Sequence, residues 1–81
     1  MTVIAKLSTL NEAYAGIAAL KTRAILAGLA RLGEEYLIGV DKTHQNAALN
    51  ALEREARFAG KIVRDNVDHD YLWIDFEGEN N

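Results

Sequence analysis

The chain contains 81 residues, of which 49% are hydrophobic, and it has no cysteine and a formal net charge of −3 at pH 7. This length predicts a single domain over residues 1–81 with a small core. The absence of cysteine excludes disulfide bonds and thiolate metal sites, and it fits a reducing cytoplasm, which is the predicted compartment. We expect neither a signal peptide nor a membrane span, because Lys21, Arg23 and Arg31 interrupt the most apolar stretch.

The charged residues are divided unevenly along the chain. All nine Lys and Arg lie in residues 1–64 together with six of the 12 Asp and Glu, so this part has a net charge of +3. Residues 65–81 contain the other six acids and no Lys or Arg, which gives them a net charge of −6. Charge asymmetry of this kind concerns partners rather than the fold, and an acidic end predicts contact with a basic surface.

The first half of the chain has a short β-branched run followed by a long alanine-rich stretch. Residues 2–7, TVIAKL, predict an edge strand, with a lead-in to the helix as the alternative. Residues 9–32 predict one long helix, because Thr9 and Glu12 match a capping box and seven alanines follow. Its apolar side chains cover a wide arc, which suggests contacts on two sides, and Gly33 is the expected terminator.

The middle of the chain predicts a strand and a second helix. Residues 34–40, EEYLIGV, have the length, aromatic residue and β-branching of a strand. Residues 43–59 predict a helix that ends at Gly60, with Asp41 or Thr43 as its cap. The apolar face of this helix comprises Ala48, Leu49, Leu52, Ala56 and Ala59.

The last part of the chain predicts a β-hairpin. Residues 61–67 and 71–77 read as two strands on either side of a turn-forming stretch. A four-residue loop pairs Arg64 with Asp75 across the strands, and it puts the aliphatic side chains of both strands on one face.

These elements predict an α+β fold in which two helices pack on a small, mostly antiparallel sheet that includes the C-terminal β-hairpin. Two topologies remain open. One has the order β-α-β-α-β-β and a four-stranded sheet, and the other has a helical pair beside a C-terminal sheet of two or three strands.

Asp68, His69 and Asp70, with Asp75 beyond them, form the densest cluster of residue types that bind metal ions. A zinc site needs three or four ligands that converge from a rigid frame, and consecutive residues of a turn do not converge in this way. Asp and His in a hairpin loop are better explained by turn geometry. We therefore expect no bound metal and no cofactor.

The sequence also gives no sign of an active site. Ser8 is the one serine and lies beside a helix cap, and His44 is expected on the surface of the second helix. Gly33 is followed by Glu34 rather than by the lysine of a phosphate-binding loop. The chain is therefore predicted not to be an enzyme.

A basic group in the second half of the chain could bind nucleic acid. Its members are Arg54, Arg57, Lys61 and Arg64. Glu53 and Glu55 interleave with them, Glu53 and Arg57 have the i, i+4 spacing of an ion pair, and an acidic end follows. A salt-bridged helix surface is favoured over direct nucleic-acid binding.

The predicted hairpin offers one candidate binding face. Tyr71 and Trp73 share a face of the second strand, and tyrosine and tryptophan are frequent in binding hot spots. The alternative is that Trp73 packs under Phe58 or the N-terminal strand as ordinary core. The predicted binding residues are Asp68, Asp70, Tyr71, Trp73, Asp75 and Glu77.

The predicted function is a non-enzymatic protein-binding module whose partner has a basic surface. A sharper version, by analogy of size and charge, is a small acidic inhibitor of the phage anti-defence type that covers a basic or nucleic-acid-binding surface of its partner. The alternative is a structural subunit that forms a homodimer or a larger assembly through the long N-terminal helix.

Overall fold

The computed structural model describes residues 1–76 of the chain. Its helices are α1 (Leu10–Lys21) and α2 (Gln45–Glu53), and its strands are β1 (Thr2–Leu7), β2 (Ala27–Leu32), β3 (Glu35–Val40) and β4 (Ile74–Phe76). Short 3-10 turns, Lys42–His44 and Ala56–Phe58, flank α2. Within residues 1–76, two helices pack on a four-stranded sheet, which confirms the predicted α+β class.

The four strands form one sheet in the order β1-β3-β2-β4, and every hydrogen-bonded pair is antiparallel. Because β3 lies between β1 and β2, these two strands run parallel to each other, and α1 connects them as in a split β-α-β unit. β4 pairs with β2, so β1 and β4 lie at opposite edges of the sheet. The order along the chain differs from both predicted topologies, because both treat β2 as part of a helix.

Two strands and one helix start lie where the sequence predicts them. β1 is an edge strand over the predicted residues, and β3 begins one residue later than predicted. At the start of α1, the Thr9 hydroxyl accepts a hydrogen bond from the Glu12 amide at 3.2 Å. The Glu12 carboxylate accepts hydrogen bonds from the Thr9 hydroxyl at 3.2 Å and from the Thr9 backbone, so the capping box is confirmed.

The predicted helix over residues 9–32 is wrong beyond Lys21, where α1 ends. Ala24 has a φ of 59°, in the left-handed region. The Ile25 amide donates to the Leu20 carbonyl at 3.0 Å, and the Ala24 amide donates to the Lys21 carbonyl at 2.9 Å. These two bonds are those of a Schellman helix end, in which glycine usually occupies the left-handed position. Because alanine and not glycine occupies this position, the sequence did not indicate that the helix ends here.

The residues that follow this turn form a central strand instead of a helix. β2 pairs with β3 on one side and with β4 on the other. Ala27 and Leu29 join the core beneath the helices, whereas Ala30 packs on the opposite face of the sheet. Alanine and leucine favour helices only weakly, and the two neighbouring strands outweigh that preference.

The second helix is also shorter than the predicted residues 43–59. It ends at Glu53, and Glu55 has extended backbone angles, φ −110° and ψ 121°. A 3-10 turn then places Phe58 in the core with 1% of its surface exposed. The two alanines that were predicted on the apolar face beyond Glu53 are exposed, namely Ala56 and Ala59.

The predicted C-terminal hairpin is only partly present. Its second strand exists as β4, but β4 pairs with β2 and not with residues 61–67. Residues 61–67 instead contact β1 at the opposite edge through an isolated bridge between Ala5 and Ile62. Since the two halves lie at opposite edges of the sheet, the predicted pairing of Arg64 with Asp75 is wrong.

The main core fills the space between the two helices and one face of the sheet. Gly16 in α1 allows close packing there, because a Cβ atom at this position would lie 2.6 Å from Cδ1 of Ile38. The largest fully buried side chains of this core are Phe58, Ile4, Leu7, Leu20, Ile38, Leu52 and Val40. Neither helix within residues 1–76 has the length and hydropathy needed to cross a membrane.

Candidate binding surface

Residues 61–76, here called the C-terminal segment, cross the sheet from one edge to the other. They begin beside β1, where the Lys6 amide donates to the Lys61 carbonyl at 3.0 Å and the Val63 amide donates to the Ile4 carbonyl at 2.8 Å. They end as β4 beside β2. Between these points the segment lies on the sheet face opposite the helices, and so it covers the face that the two helices leave open.

A row of three rings holds the middle of the C-terminal segment on this face. The His69 and Tyr71 rings are stacked with centroids 4.9 Å apart, and the Tyr71 and Trp73 rings meet edge to face at 5.7 Å. The indole nitrogen of Trp73 donates to the His69 carbonyl at 3.2 Å. Partly buried Tyr71, Trp73 and Val63 pack against Val3, Ala30 and Leu37.

Trp73 is therefore neither a fully exposed residue of a binding face nor a fully buried core residue. It is half-buried on the open sheet face, where it contacts the second, smaller cluster that includes Val3 of β1. It does not pack under Phe58, which lies in the core on the helix side of the sheet.

Asp65 and His69 form the polar anchor of the C-terminal segment. His69 Nε2 lies 2.7 Å from Asp65 Oδ2, and the Val67 amide donates to Asp65 Oδ1 at 2.9 Å. The Gln45 side chain, at the start of α2, donates to the Asp65 carbonyl at 3.1 Å. The bond to His69, followed by the bond to the Val67 amide, lowers the pKa of Asp65.

His69 is hydrogen-bonded to Asp65, but residues 68–70 do not form the predicted turn, because Asp68 forms an isolated antiparallel bridge with Thr2 and the His69 amide donates to the Met1 carbonyl at 2.9 Å. Within residues 1–76 no group of three or more His, Asp or Glu side chains converges as metal ligands do. The sequence places Asp65 awkwardly on an apolar strand face, whereas in the structure its carboxylate fixes the path of the backbone.

The predicted acidic residues line the outside of the C-terminal segment. Asp68 is 76% exposed and bonds to the amino group of Met1 at 2.6 Å. Asp70 and Asp75 are also exposed. Glu77 lies outside the described residues. The three described carboxylates are distributed along the segment and do not form one cluster.

Three apolar side chains of the C-terminal segment that the predicted hairpin groups on one strand face are exposed in the structure, and one of them is Val67 at 60%. Leu72 is 93% exposed and Ile74 is 59% exposed. They line a groove of about 390 Å³ together with Leu10, Tyr14, Leu29, Ala30, Arg31 and Tyr36. The predicted alternation holds, since Tyr71 and Trp73 share one face, but it is this face that packs on the sheet, whereas Leu72 and Ile74 lie on the exposed face.

Three of the four predicted basic residues are paired with acids. Lys61 Nζ lies 2.7 Å from Glu12, Arg57 lies 3.7 Å from Glu55, and Arg64 contacts Glu53. These pairs fit the predicted salt-bridged surface, although Glu53 contacts Arg64 and not the predicted Arg57.

No protein-family model matches this chain, and comparisons with curated proteins and with solved structures also find no match.

Proposed function

We propose that this chain is a non-enzymatic protein-binding module whose interface is the outer side of the C-terminal segment and the apolar groove beside it. The observation that carries this proposal is the exposure of Leu72, at 93%, together with Ile74. A single exposed apolar side chain is ordinary on a protein surface. Several that line one groove form a patch of the kind that partners cover.

The groove supports a partner that inserts an apolar side chain. Leu10 and Tyr14 of α1 form one part of its lining, and Leu72 and Ile74 of the C-terminal segment form another. The four side chains are between 38% and 93% exposed. Covering them removes apolar surface from water, at roughly 25 cal/mol for each Å² buried.

Charge selects the kind of partner. Asp70 and Asp75 flank Leu72 and Ile74 along the chain, Asp68 precedes them, and the whole stretch of residues 65–81 carries no Lys or Arg. The complementary partner is a protein whose apolar side chain is surrounded by Lys and Arg. Glu77, outside the described residues, belongs to the same acidic set in the sequence.

This chemistry also suits the sharper version of the proposal, a small acidic inhibitor of the phage anti-defence type. Carboxylates held along one surface would take the positions that phosphates occupy on a nucleic-acid-binding partner. In that case the partner's nucleic acid and this chain compete for one site. Tyr71 and Trp73 then act by fixing the segment on the sheet, and their exposed edges add to the contact.

The second candidate function is a structural subunit that self-associates. Leu10 and Tyr14 are exposed on α1 and lie in the same groove, which favours this candidate. Burying the groove between two copies would cover the same apolar side chains without any foreign partner. Sedimentation equilibrium separates the candidates, because a dimer that Leu72→Ser dissociates supports the subunit, whereas a monomer supports the binding module.

The test of the binding module uses the tagged full chain to capture partners from a lysate of its source cell, followed by titration of each purified partner. Leu72→Ser should weaken binding about 10-fold or more, because it truncates an exposed anchor. Leu26→Ser is the matched control, since Leu26 is 54% exposed but does not line the groove. Equal affinity of wild type and Leu72→Ser for the partner would refute this interface.

A second variant tests the electrostatic part. Asp70→Asn with Asp75→Asn should slow association and flatten its dependence on salt, because steering by exposed charge is screened by ions. For the inhibitor version, added nucleic acid should displace this chain from its partner. Failure of nucleic acid to compete would refute the inhibitor version and leave the binding module in place.

A further inference from the structure

Two arginines differ from the other three in lacking a partner. Arg31 donates to the Gly33 carbonyl and lies over the Tyr36 ring, and Arg57 and Arg64 pair with glutamates. Arg23 and Arg54 have no ion pair, hydrogen bond or ring contact with any residue of the described range 1–76. They are 31 positions apart in the sequence, yet both line the same cleft.

This cleft lies between the turn that follows α1 and the outer side of α2. Its volume is about 220 Å³, and its lining comprises Arg23, Ala47, Asn50, Ala51 and Arg54. The four residues from α2 and its end have the spacing i, i+3, i+4 and i+7, which places them on one helix face. The two alanines have short side chains that leave room in the cleft, and among residues 1–76 no carboxylate lines it.

We propose that this cleft binds the phosphate group of a small molecule. Each guanidinium offers a planar fork of N–H donors that matches a phosphate or carboxylate oxyanion. The Asn50 amide adds two further donors at the same cleft. Among residues 1–76 the lining has two positive charges and no acid, which favours an oxyanion with close to two negative charges over a singly charged carboxylate, and a phosphate group is such an oxyanion.

The volume limits what enters. A cleft of about 220 Å³ accepts a phosphate and leaves the rest of the molecule outside, whereas sites for drug-sized ligands begin at roughly 300 Å³. Nucleic acid is disfavoured as the source of the phosphate, because the neighbouring basic side chains already form ion pairs with glutamates. These side chains are Arg57, Lys61 and Arg64.

Each of the two arginines follows the end of a helix, Arg54 after α2 and Arg23 after α1, where a cation is favourable on its own. That role explains a positive charge at each position, but it does not require the two side chains to line the same cleft. Their convergence on one cleft brings two like charges together, and a bound dianion relieves that repulsion.

The cleft shares no lining residue with the groove of the proposed protein-binding surface. The two sites can therefore be tested separately, and either can fail without the other.

The test is a titration of the full chain with inorganic phosphate, followed by calorimetry and by NMR of the Asn50 side-chain amide and the Arg23 and Arg54 Nε–H groups. Arg23→Gln and Arg54→Gln should each raise the phosphate Kd about 10-fold, equivalent to roughly 1.4 kcal/mol. Arg57→Gln is the matched control, because it removes the same charge three residues further on but leaves the cleft intact. Its Kd should stay within about two-fold of wild type.

Fold is checked in each variant by thermal unfolding, and the substituted side chains are exposed, so the variants should melt with wild type. Arg54→Lys keeps the charge but loses the fork, and it should also weaken phosphate binding. Acetate is titrated in parallel as a carboxylate and a short single-stranded oligonucleotide as a polymeric phosphate.

Four results would overturn the proposal. The first is no saturation by roughly 10 mM phosphate, a concentration that nearly saturates a site with a Kd of about 1 mM. The second is that Arg57→Gln weakens phosphate binding as much as Arg23→Gln and Arg54→Gln do, which would show that phosphate is attracted by net charge alone. The third is acetate binding as tightly as phosphate. The fourth is oligonucleotide binding far tighter than phosphate and weakened equally at Arg57 and Lys61, which assigns the surface to nucleic acid.

Discussion

The indole ring of Trp73 lies directly on Gly39 of the central strand β3. A Cβ atom at position 39 would be 2.6 Å from Cη2 and 2.8 Å from Cζ3 of the indole, closer than such atoms approach. A strand glycine often marks a place where another part of the molecule comes close to the backbone. The absence of a side chain at Gly39 thus allows the Trp73 ring of the C-terminal segment to pack directly on β3.

A side chain at position 39 should weaken the packing of the C-terminal segment on the sheet. Gly39→Ala should displace the Trp73 ring and destabilise the fold by about 1–3 kcal/mol, as overpacking does. Trp73 is the single tryptophan, so its emission reports the displacement as a shift to longer wavelength. Gly28→Ala is the control, because its Cβ would meet the movable ends of Met1 and Asp75. Unchanged emission and stability in Gly39→Ala would contradict the observed packing.

A second glycine tests packing against helix propensity. Gly16→Ala should gain about 1 kcal/mol of helix propensity. Its Cβ, however, would lie 2.6 Å from Cδ1 of Ile38, which is fully buried. We expect a net loss in the free energy of unfolding, measured by urea denaturation. Ala18→Gly on the exposed side of α1 calibrates propensity alone, and a stabilised Gly16→Ala would mean that Ile38 gives way.

The start of α1 depends on one hydroxyl. Thr9→Ala removes the acceptor of the Glu12 amide and should destabilise the fold by about 1 kcal/mol. Ser8→Ala changes the preceding hydroxyl, which is exposed and does not cap the helix, and it should have almost no effect. Thermal unfolding of the two variants beside wild type measures the difference. Equal melting temperatures would show that the cap contributes nothing.

Asp65 should make stability depend on acid pH. Its pKa lies below the ordinary value of 3.8, because the ionised carboxylate bonds to His69 and to the Val67 amide. A lowered pKa means that the stabilisation is present above the ordinary pKa and is lost as the pH falls through the lowered one. Asp65→Asn should therefore be less stable than wild type above about pH 5 and should converge with it in stronger acid.

Urea unfolding at a series of pH values measures this convergence. Asp70→Asn serves as the control, because Asp70 is exposed and makes no ion pair or hydrogen bond within residues 1–76. It should follow the wild-type profile. A gap between wild type and Asp65→Asn that persists unchanged into strong acid would show that the carboxylate charge is not what stabilises the turn.

The sequence predicted correctly those elements that depend on residues close together in the chain. Residues 2–7 and 34–40 are short β-branched runs, and both form strands. Thr9 and Glu12 form the predicted cap, since both partners lie within one helical turn. Local propensity did not locate the end of α1, because Ala24 adopts a left-handed conformation that alanine rarely takes.

In the C-terminal segment, the structure differs from the prediction in which apolar side chains face the solvent. The acidic residues lie on the outer side of the C-terminal segment, as expected from their charge. Leu72 and Ile74 were expected inside because they were paired with residues 61–67 in a hairpin. The two halves pair with different edges of the sheet, and this reverses which side chains of the segment face the solvent.

By itself, the sequence determined the α+β class, the start of α1, two of the strands and the division of charge, because each follows from neighbouring residues or from composition. Tertiary structure alone decided that residues 27–32 form a strand, that the C-terminal segment crosses the open face, and that Arg23 and Arg54 line one cleft. These features depend on contacts between residues far apart in the chain. The free energy of such contacts outweighs the small preference of alanine and leucine for a helix.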